Sequence, residues 1–169
     1  MKRFLLLFLL VAACDGVQAD RNQAATRPAE GGAPGSHASP GKSGPPDSLV
    51  GLYEGGTGPL RSQLCMVAKG GVTQFALLVR GDAEHSCAGA GRAERSGGRL
   101  TLKMAGDEAC TIDARLAEGR IAFPAGLPSG CAYYCARGAR MDGASFTRTG
   151  SGEAEALKAT DIAGDPLCG

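Results

Sequence analysis

Two stretches, Arg99-Leu-Thr-Leu-Lys-Met104 and Cys110-Thr-Ile-Asp-Ala-Arg-Leu116-Ala-Glu-Gly-Arg-Ile-Ala-Phe123, decide the fold. In the first, Leu100, Leu102 and Met104 alternate with Arg99, Thr101 and Lys103. In the second, Cys110, Ile112, Ala114 and Leu116 alternate with Thr111, Asp113 and Arg115. A period of two sends successive side chains to opposite faces, so each stretch reads as a strand with one apolar and one polar face. Glu118-Gly119 suits a two-residue hairpin turn, which would set Leu116 opposite Ile121 and Ala114 opposite Phe123.

Outward from this hairpin the texture repeats. Gln74 to Val79 forms a more apolar strand with Phe75, Leu77 and Val79 on one face. Turn residues recur at Gly70-Gly71, Gly81-Asp82, Gly97-Gly98, Gly106-Asp107, Pro128-Ser129-Gly130 and Asp142-Gly143. Strands broken every ~8–12 residues by such punctuation indicate an antiparallel barrel or sandwich. About eight strands are expected, near residues 49–55, 62–69, 72–80, 85–93, 99–105, 109–117, 120–125 and 131–148, the last open to a split at Asp142-Gly143. The fold class is therefore mainly β, with a β domain over residues 49–150. Residues 151–169 form a tail. A helix is expected there over residues 152–160, with Glu153 and Glu155 in its first turn, where the helix dipole favours carboxylates. Leu157 is expected to dock it on the β domain, extended by Ile162 and Leu167.

Composition narrows the class further. Gly accounts for 27 of 169 residues, about twice the usual share of ~7%. The net charge of +1 gives no bulk basic excess to neutralise phosphates, which argues against a nucleic-acid partner. The chain has no Trp, and only Tyr53, Phe75, Phe123, Tyr133, Tyr134 and Phe146 remain as core aromatics beyond the first residues.

The amino terminus carries an address. Lys2 and Arg3 precede an apolar run over residues 4–13, too short to span a bilayer and ending in Val11-Ala12-Ala13 before Cys14. This resembles the lipobox of bacterial lipoproteins. The resemblance covers about 15 residues. It implies removal of residues 1–13, lipidation of Cys14 and attachment to a membrane through its acyl chains, since two or three chains on one residue make a stable anchor. It also implies a location in the bacterial cell envelope, facing the periplasm. Asp15 resembles an inner-membrane retention signal, although which membrane holds the protein stays open. Loss of Lys2 and Arg3 leaves 16 basic and 17 acidic side chains. Anchoring then rests on the acyl chains rather than on net charge. Residues 15–48, rich in Ala, Gly, Pro and Ser, have almost no branched or aromatic apolar side chains. They read, with Cys14, as a disordered tether, because they bury too little surface to offset ordering entropy.

Six cysteines remain: Cys65, Cys87, Cys110, Cys131, Cys135 and Cys168. An even number in an oxidising compartment indicates three structural disulfides. The expected pairing is Cys65–Cys87, Cys110–Cys131 and Cys135–Cys168. Cys131 and Cys135, four apart on the expected last strand, would lie ~13 Å apart, beyond disulfide reach. The alternative is a small redox or metal-binding protein using Cys131 and Cys135. Cys131-Ala-Tyr-Tyr-Cys-Ala-Arg-Gly138 also looks like a strand of antibody variable domains, but that fold needs a core Trp.

No P-loop, G-x-S-x-G or H-E-x-x-H motif occurs, and a Ser-His-Asp triad would have to use His85. No catalytic residue, cofactor or metal is assigned. Tyr133, Tyr134, Arg137 and Arg140 form a possible recognition edge. The reading that follows is a non-enzymatic membrane-anchored lipoprotein that presents a disulfide-stapled β domain as a binding or envelope-maintenance module. Its partner would be an envelope protein or glycan. Membrane-bound lysozyme inhibitors are similar in layout, but their inhibitory loop has no match in this chain.

Overall fold

A computed structural model describes residues 48–106 and 109–169. The expected signal segment, Cys14 and the tether up to residue 47 lie outside the described residues. Eight strands follow one another: β1 (Gly51–Gly55), β2 (Ser62–Lys69), β3 (Val72–Arg80), β4 (Ser86–Ser96), β5 (Arg99–Met104), β6 (Thr111–Ala117), β7 (Arg120–Ala122) and β8 (Ser145–Ser151). Each pairs antiparallel with the next, and β8 pairs with β1, so the sheet closes into a barrel with no free edge strand. Of the two architectures left open by the sequence, the barrel is the one formed.

The alternating pattern holds along the wall. Leu100, Leu102, Met104, Cys110, Ile112 and Ala114 are buried, whereas Arg99, Lys103, Asp113 and Arg115 are exposed. The Glu118-Gly119 turn sets Leu116 opposite Ile121 as expected. Both turn residues have positive φ, 50° and 73°, as a type I′ hairpin requires. The interior is filled by Tyr53, Phe75, Phe123 and Phe146 with Leu, Ile and Met side chains. An eight-stranded barrel is just wide enough for side chains to occupy its whole interior.

The two ends differ. Gly70-Gly71, Gly97-Gly98 and Glu118-Gly119 make short turns at one end. The connections at the other end are longer, and the one from β7 to β8 runs over residues 123–144. At the hairpin end, Arg148 on β8 turns its guanidinium onto Tyr53. Its Nε donates to the Tyr53 hydroxyl at 3.0 Å, and Nη2 donates to the same hydroxyl and to the Ser48 carbonyl. The Tyr53 hydroxyl in turn donates to the Leu49 carbonyl at 2.9 Å. Burial pushes the Tyr53 phenol above its usual pKa, and the Arg148 hydrogen bond opposes that shift. This network fixes the point at which the chain enters the barrel.

Three expectations about the later elements need correction. The strand placed at residues 131–148 begins only at Ser145, and Ser129–Tyr134 is a 3₁₀ helix. Pro124 ends β7 at Ala122 because it lacks the N–H for another ladder bond. The chain then curls with Cys131 N–H donating to the Pro128 carbonyl. The carboxy-terminal helix is a single turn, α1 (Glu153–Ala156). It docks through Ala156 and Ala159, both fully buried, while Leu157 and Ile162 are 46% and 69% exposed. The tail packs closely on the outer wall, with Ala156 and Ala159 over Leu52 and Ala76 and Leu167 partly buried beside them. A Cβ on Gly150 would sit 2.6 Å from the Glu155 Cβ. Ala156→Leu is therefore expected to destabilise the fold by about 1–3 kcal/mol through overpacking. Amide exchange should rise across residues 152–169 and little elsewhere; unchanged exchange in the tail would refute the close-docking account.

The disulfides are Cys65–Cys168, Cys87–Cys135 and Cys110–Cys131. Only the last matches the expected pairing. Cys65 cannot reach Cys87 because β3 separates their strands and they occupy opposite faces of the wall. Cys87 belongs to the interior core, while Cys65 packs outside with Leu52, Ala76, Ala156 and Ala159. Cys168 thus ties the tail to β2, not to the segment carrying Cys131 and Cys135. Among the described residues no helix is long and apolar enough to cross a membrane.

Candidate functional site

The long β7–β8 connection is the most elaborated surface of the barrel. It leaves β7 through Phe123, whose N–H donates to the Ala144 carbonyl at 2.8 Å. Pro124, Pro128 and four glycines then keep it from extending the sheet. Cys131 is 2% exposed and bonded to Cys110 beside the β5–β6 connection. Cys135 is bonded to Cys87 at the start of β4, and the Ala136 N–H donates to the Ser86 carbonyl at 2.9 Å. Gly130 permits a close approach to Ala109, since a Cβ there would lie 2.8 Å from the Ala109 Cβ. Met141, 2% exposed, drops into the interior. The segment is a lid, sealed by one apolar plug and two disulfides.

The sequence-predicted recognition residues all lie on this lid, but they divide into two roles. Tyr133 is 84% exposed and meets Tyr134 edge-on at 5.9 Å between ring centroids. Arg137 is exposed and has no ion pair or hydrogen bond to the described residues. Tyr134 is used internally. Its hydroxyl donates to the Ala105 carbonyl at 2.8 Å, and its ring lies over Gly89, where a Cβ would come within 3.1 Å. Arg140 is tied to Asp142, donating from Nε and Nη2 to Oδ2 at 3.0 and 2.6 Å. That contact holds the Asp142 carboxyl below its usual pKa. A cavity of about 340 Å³ opens beside the pair, between Leu127, Pro128, Ser129 and Met141. A largely exposed tyrosine and a guanidinium without a partner among the described residues, carried on one segment, suit stacking and hydrogen bonding with a partner.

His85 lies on the β3–β4 connection with Nδ1 2.9 Å from Asp82 Oδ1. Asp82 mainly organises that loop, because its Oδ1 also accepts the N–H groups of Glu84 and His85 at 2.8 and 2.7 Å. The Glu84 N–H, and then the His85 ring, hold its pKa below the usual carboxylate value. Among the described residues no hydroxyl side chain is hydrogen-bonded to His85. No group of three or more His, Cys, Asp or Glu side chains there is placed to hold a metal ion. Cys131 and Cys135 are each bonded to a different partner, so they do not form a dithiol–disulfide pair with one another.

Sequence reasoning missed two contributors. Met141 anchors the lid from within, and nothing in its local pattern marks it as buried. Arg148 was read only as part of the expected last strand, although a lone arginine on an otherwise apolar inward register could have been matched to Tyr53. No protein-family model matches the chain, and no match is found among curated proteins or among solved structures.

Proposed function

We propose that the protein is a lipid-anchored, non-enzymatic component of the bacterial envelope that binds its partner through the stapled lid. The observation that carries this reading is the filled interior: a barrel packed with Tyr53, Phe75, Phe123, Phe146 and methionines leaves recognition to its outside. On that outside, Tyr133 and Arg137 stand on a segment already ordered by two disulfides, so binding there loses little conformational entropy. The lipobox at Val11-Ala-Ala-Cys14 supports acylation of Cys14 and a periplasm-facing barrel. Residues 15–47 would join the barrel at Ser48, on the hairpin end. The lid is at the opposite end, clear of that attachment.

The reading is tested in cells. A photo-crosslinking amino acid at position 133 is expected to trap one discrete envelope component, and Arg137→Ser should reduce the trapped fraction severalfold. Cys14→Ser is expected to abolish palmitate incorporation and release the protein from membranes. Palmitate labelling that survives Cys14→Ser would refute the anchor. Crosslinking that is absent, or indifferent to Arg137, would refute the lid as the binding surface.

A further inference from the structure

The near-zero net charge conceals a local imbalance on the outer wall of β5, β6 and β7. Arg99 and Arg115 stand directly opposite each other. The Leu116 N–H donates to the Gly98 carbonyl, which makes 99 and 115 the intervening pair, the kind in which opposite side chains come closest. Like charges at that spacing are unfavourable. Arg99 is partly compensated by Asp113, at 3.9 Å, whereas Arg115 has no ion pair or hydrogen bond to the described residues. This crowding of guanidinium groups, with Arg115 unpaired among the described residues, suits a negatively charged group bound from outside.

The register supplies the shape of a receptor. Arg115 faces Ala122 and Arg120 faces Ala117, so the two arginines occupy one diagonal of the β6–β7 pair and two alanines the other. Diagonal neighbours are about 7–8 Å apart, and the alanines leave the floor between them low. Thr147 on β8 stands opposite Arg120 and adds a hydroxyl. A cleft of about 420 Å³ is lined by Arg115, Ala117, Glu118, Arg120, Ala122 and Thr147. Arg120 donates one hydrogen bond, at 3.0 Å, to the Ser145 hydroxyl. Its other N–H groups are not engaged by the described residues.

We propose that Arg115 and Arg120, with Thr147 beside them, form a clamp for a phosphate group on the outer wall of the barrel. Two planar guanidinium forks across an apolar floor suit the oxygens of a phosphate, which accepts parallel N–H bonds. Glu118 at the turn opposes the bound charge and keeps the affinity moderate. The site lies on β6, β7 and β8, outside the lid.

The test is titration of the full, disulfide-intact chain with inorganic phosphate, followed calorimetrically against sodium chloride of equal ionic strength. Saturable binding of phosphate is expected. Arg115→Gln and Arg120→Gln should each weaken it about tenfold, and the double variant should remove it. Glu118→Gln should tighten it, while Arg92→Gln on β4 should leave it unchanged. Melting curves of the variants establish that they fold. Phosphatidylglycerol vesicles separate the sources. Vesicle binding that is lost in the double variant and competed by phosphate assigns the site to lipid headgroups. Phosphate binding without a vesicle response that depends on the two arginines assigns it to a soluble phosphate. Absence of saturable binding, or wild-type affinity in the double variant, overturns the proposal.

Discussion

Replacing Cys87, Cys110, Cys131 and Cys135 together with alanine is expected to destabilise the barrel by about 5 kcal/mol and to open residues 123–144 to proteolysis. The Cys110–Cys131 bridge spans 21 residues and Cys87–Cys135 spans 48, the first nested within the second. Chain-entropy arguments give about 3–4 kcal/mol for a loop of either length, and nesting makes the joint effect smaller than the sum. For a domain of this size the melting temperature should fall by roughly 15–20 °C. The lid itself should respond more strongly than the barrel. Beyond the two bridges, its anchorage consists of buried Met141, partly buried Leu127, Tyr134, Ala139 and Ala144, the Tyr134 hydrogen bond to Ala105 and a few backbone bonds. Trypsin should therefore cut at Arg137 and Arg140 in the folded variant, sites that the bridges restrain in the parent protein. A lid that resists trypsin after loss of both bridges would show that apolar packing alone holds it.

The same contrast explains what was legible in the sequence. β2 and β3 were readable to the residue because alternation and glycine turns act locally: side chains follow the pleat, and turns need residues that tolerate positive φ. The Cys110–Cys131 bridge was legible, whereas Tyr133, counted among the core aromatics, stands 84% exposed on the curled segment. The other two bridges were not legible. They depend on which face Cys65 and Cys87 occupy once the sheet has closed, and closure is set by all eight strands together. The lid was mistaken for a strand because Cys-Ala-Tyr-Tyr-Cys has strand-like composition. The prolines at 124 and 128 outweigh that composition, and the disulfides then fix the curled form. The tail was misread for a related reason. Leu157 looked like its natural anchor, but Ala156 and Ala159 make the buried contact, with Leu167 packed partly buried beside them as expected. The oppositely placed arginines of the outer wall became visible only with the strand register, since nothing in one dimension says that 99 faces 115.

The β6–β7–β8 seam of the barrel is where a single core substitution should act most strongly. β3 and β4 share eight residue pairs, whereas β7 has three with β6 and three with β8. So short a strand contributes few ladder bonds, and the seam depends on side chains packed behind it. Phe146, 1% exposed, stands opposite Ile121 and packs at 5.4 Å against Phe123, which follows β7 directly. It also covers Gly55 across the β8–β1 junction, where a Cβ would lie 3.6 Å from its ring. Phe146→Ala removes a side chain shared by three strands and leaves a cavity at their junction. The expected loss is about 3–5 kcal/mol, or roughly 12–20 °C in melting temperature. Phe75→Ala, on the long β3, should cost a similar amount in global unfolding. The two variants should differ in native-state amide exchange. Phe146→Ala should release the amides of β7 and of 145–147 through local opening well before β3, because three pairs on either side cannot hold the strand unaided. Phe75→Ala should leave β7 exchange tied to global unfolding. If both variants exchange β7 only by global unfolding, the seam is held by its backbone ladder, and the aromatic pair behind it serves as ordinary core.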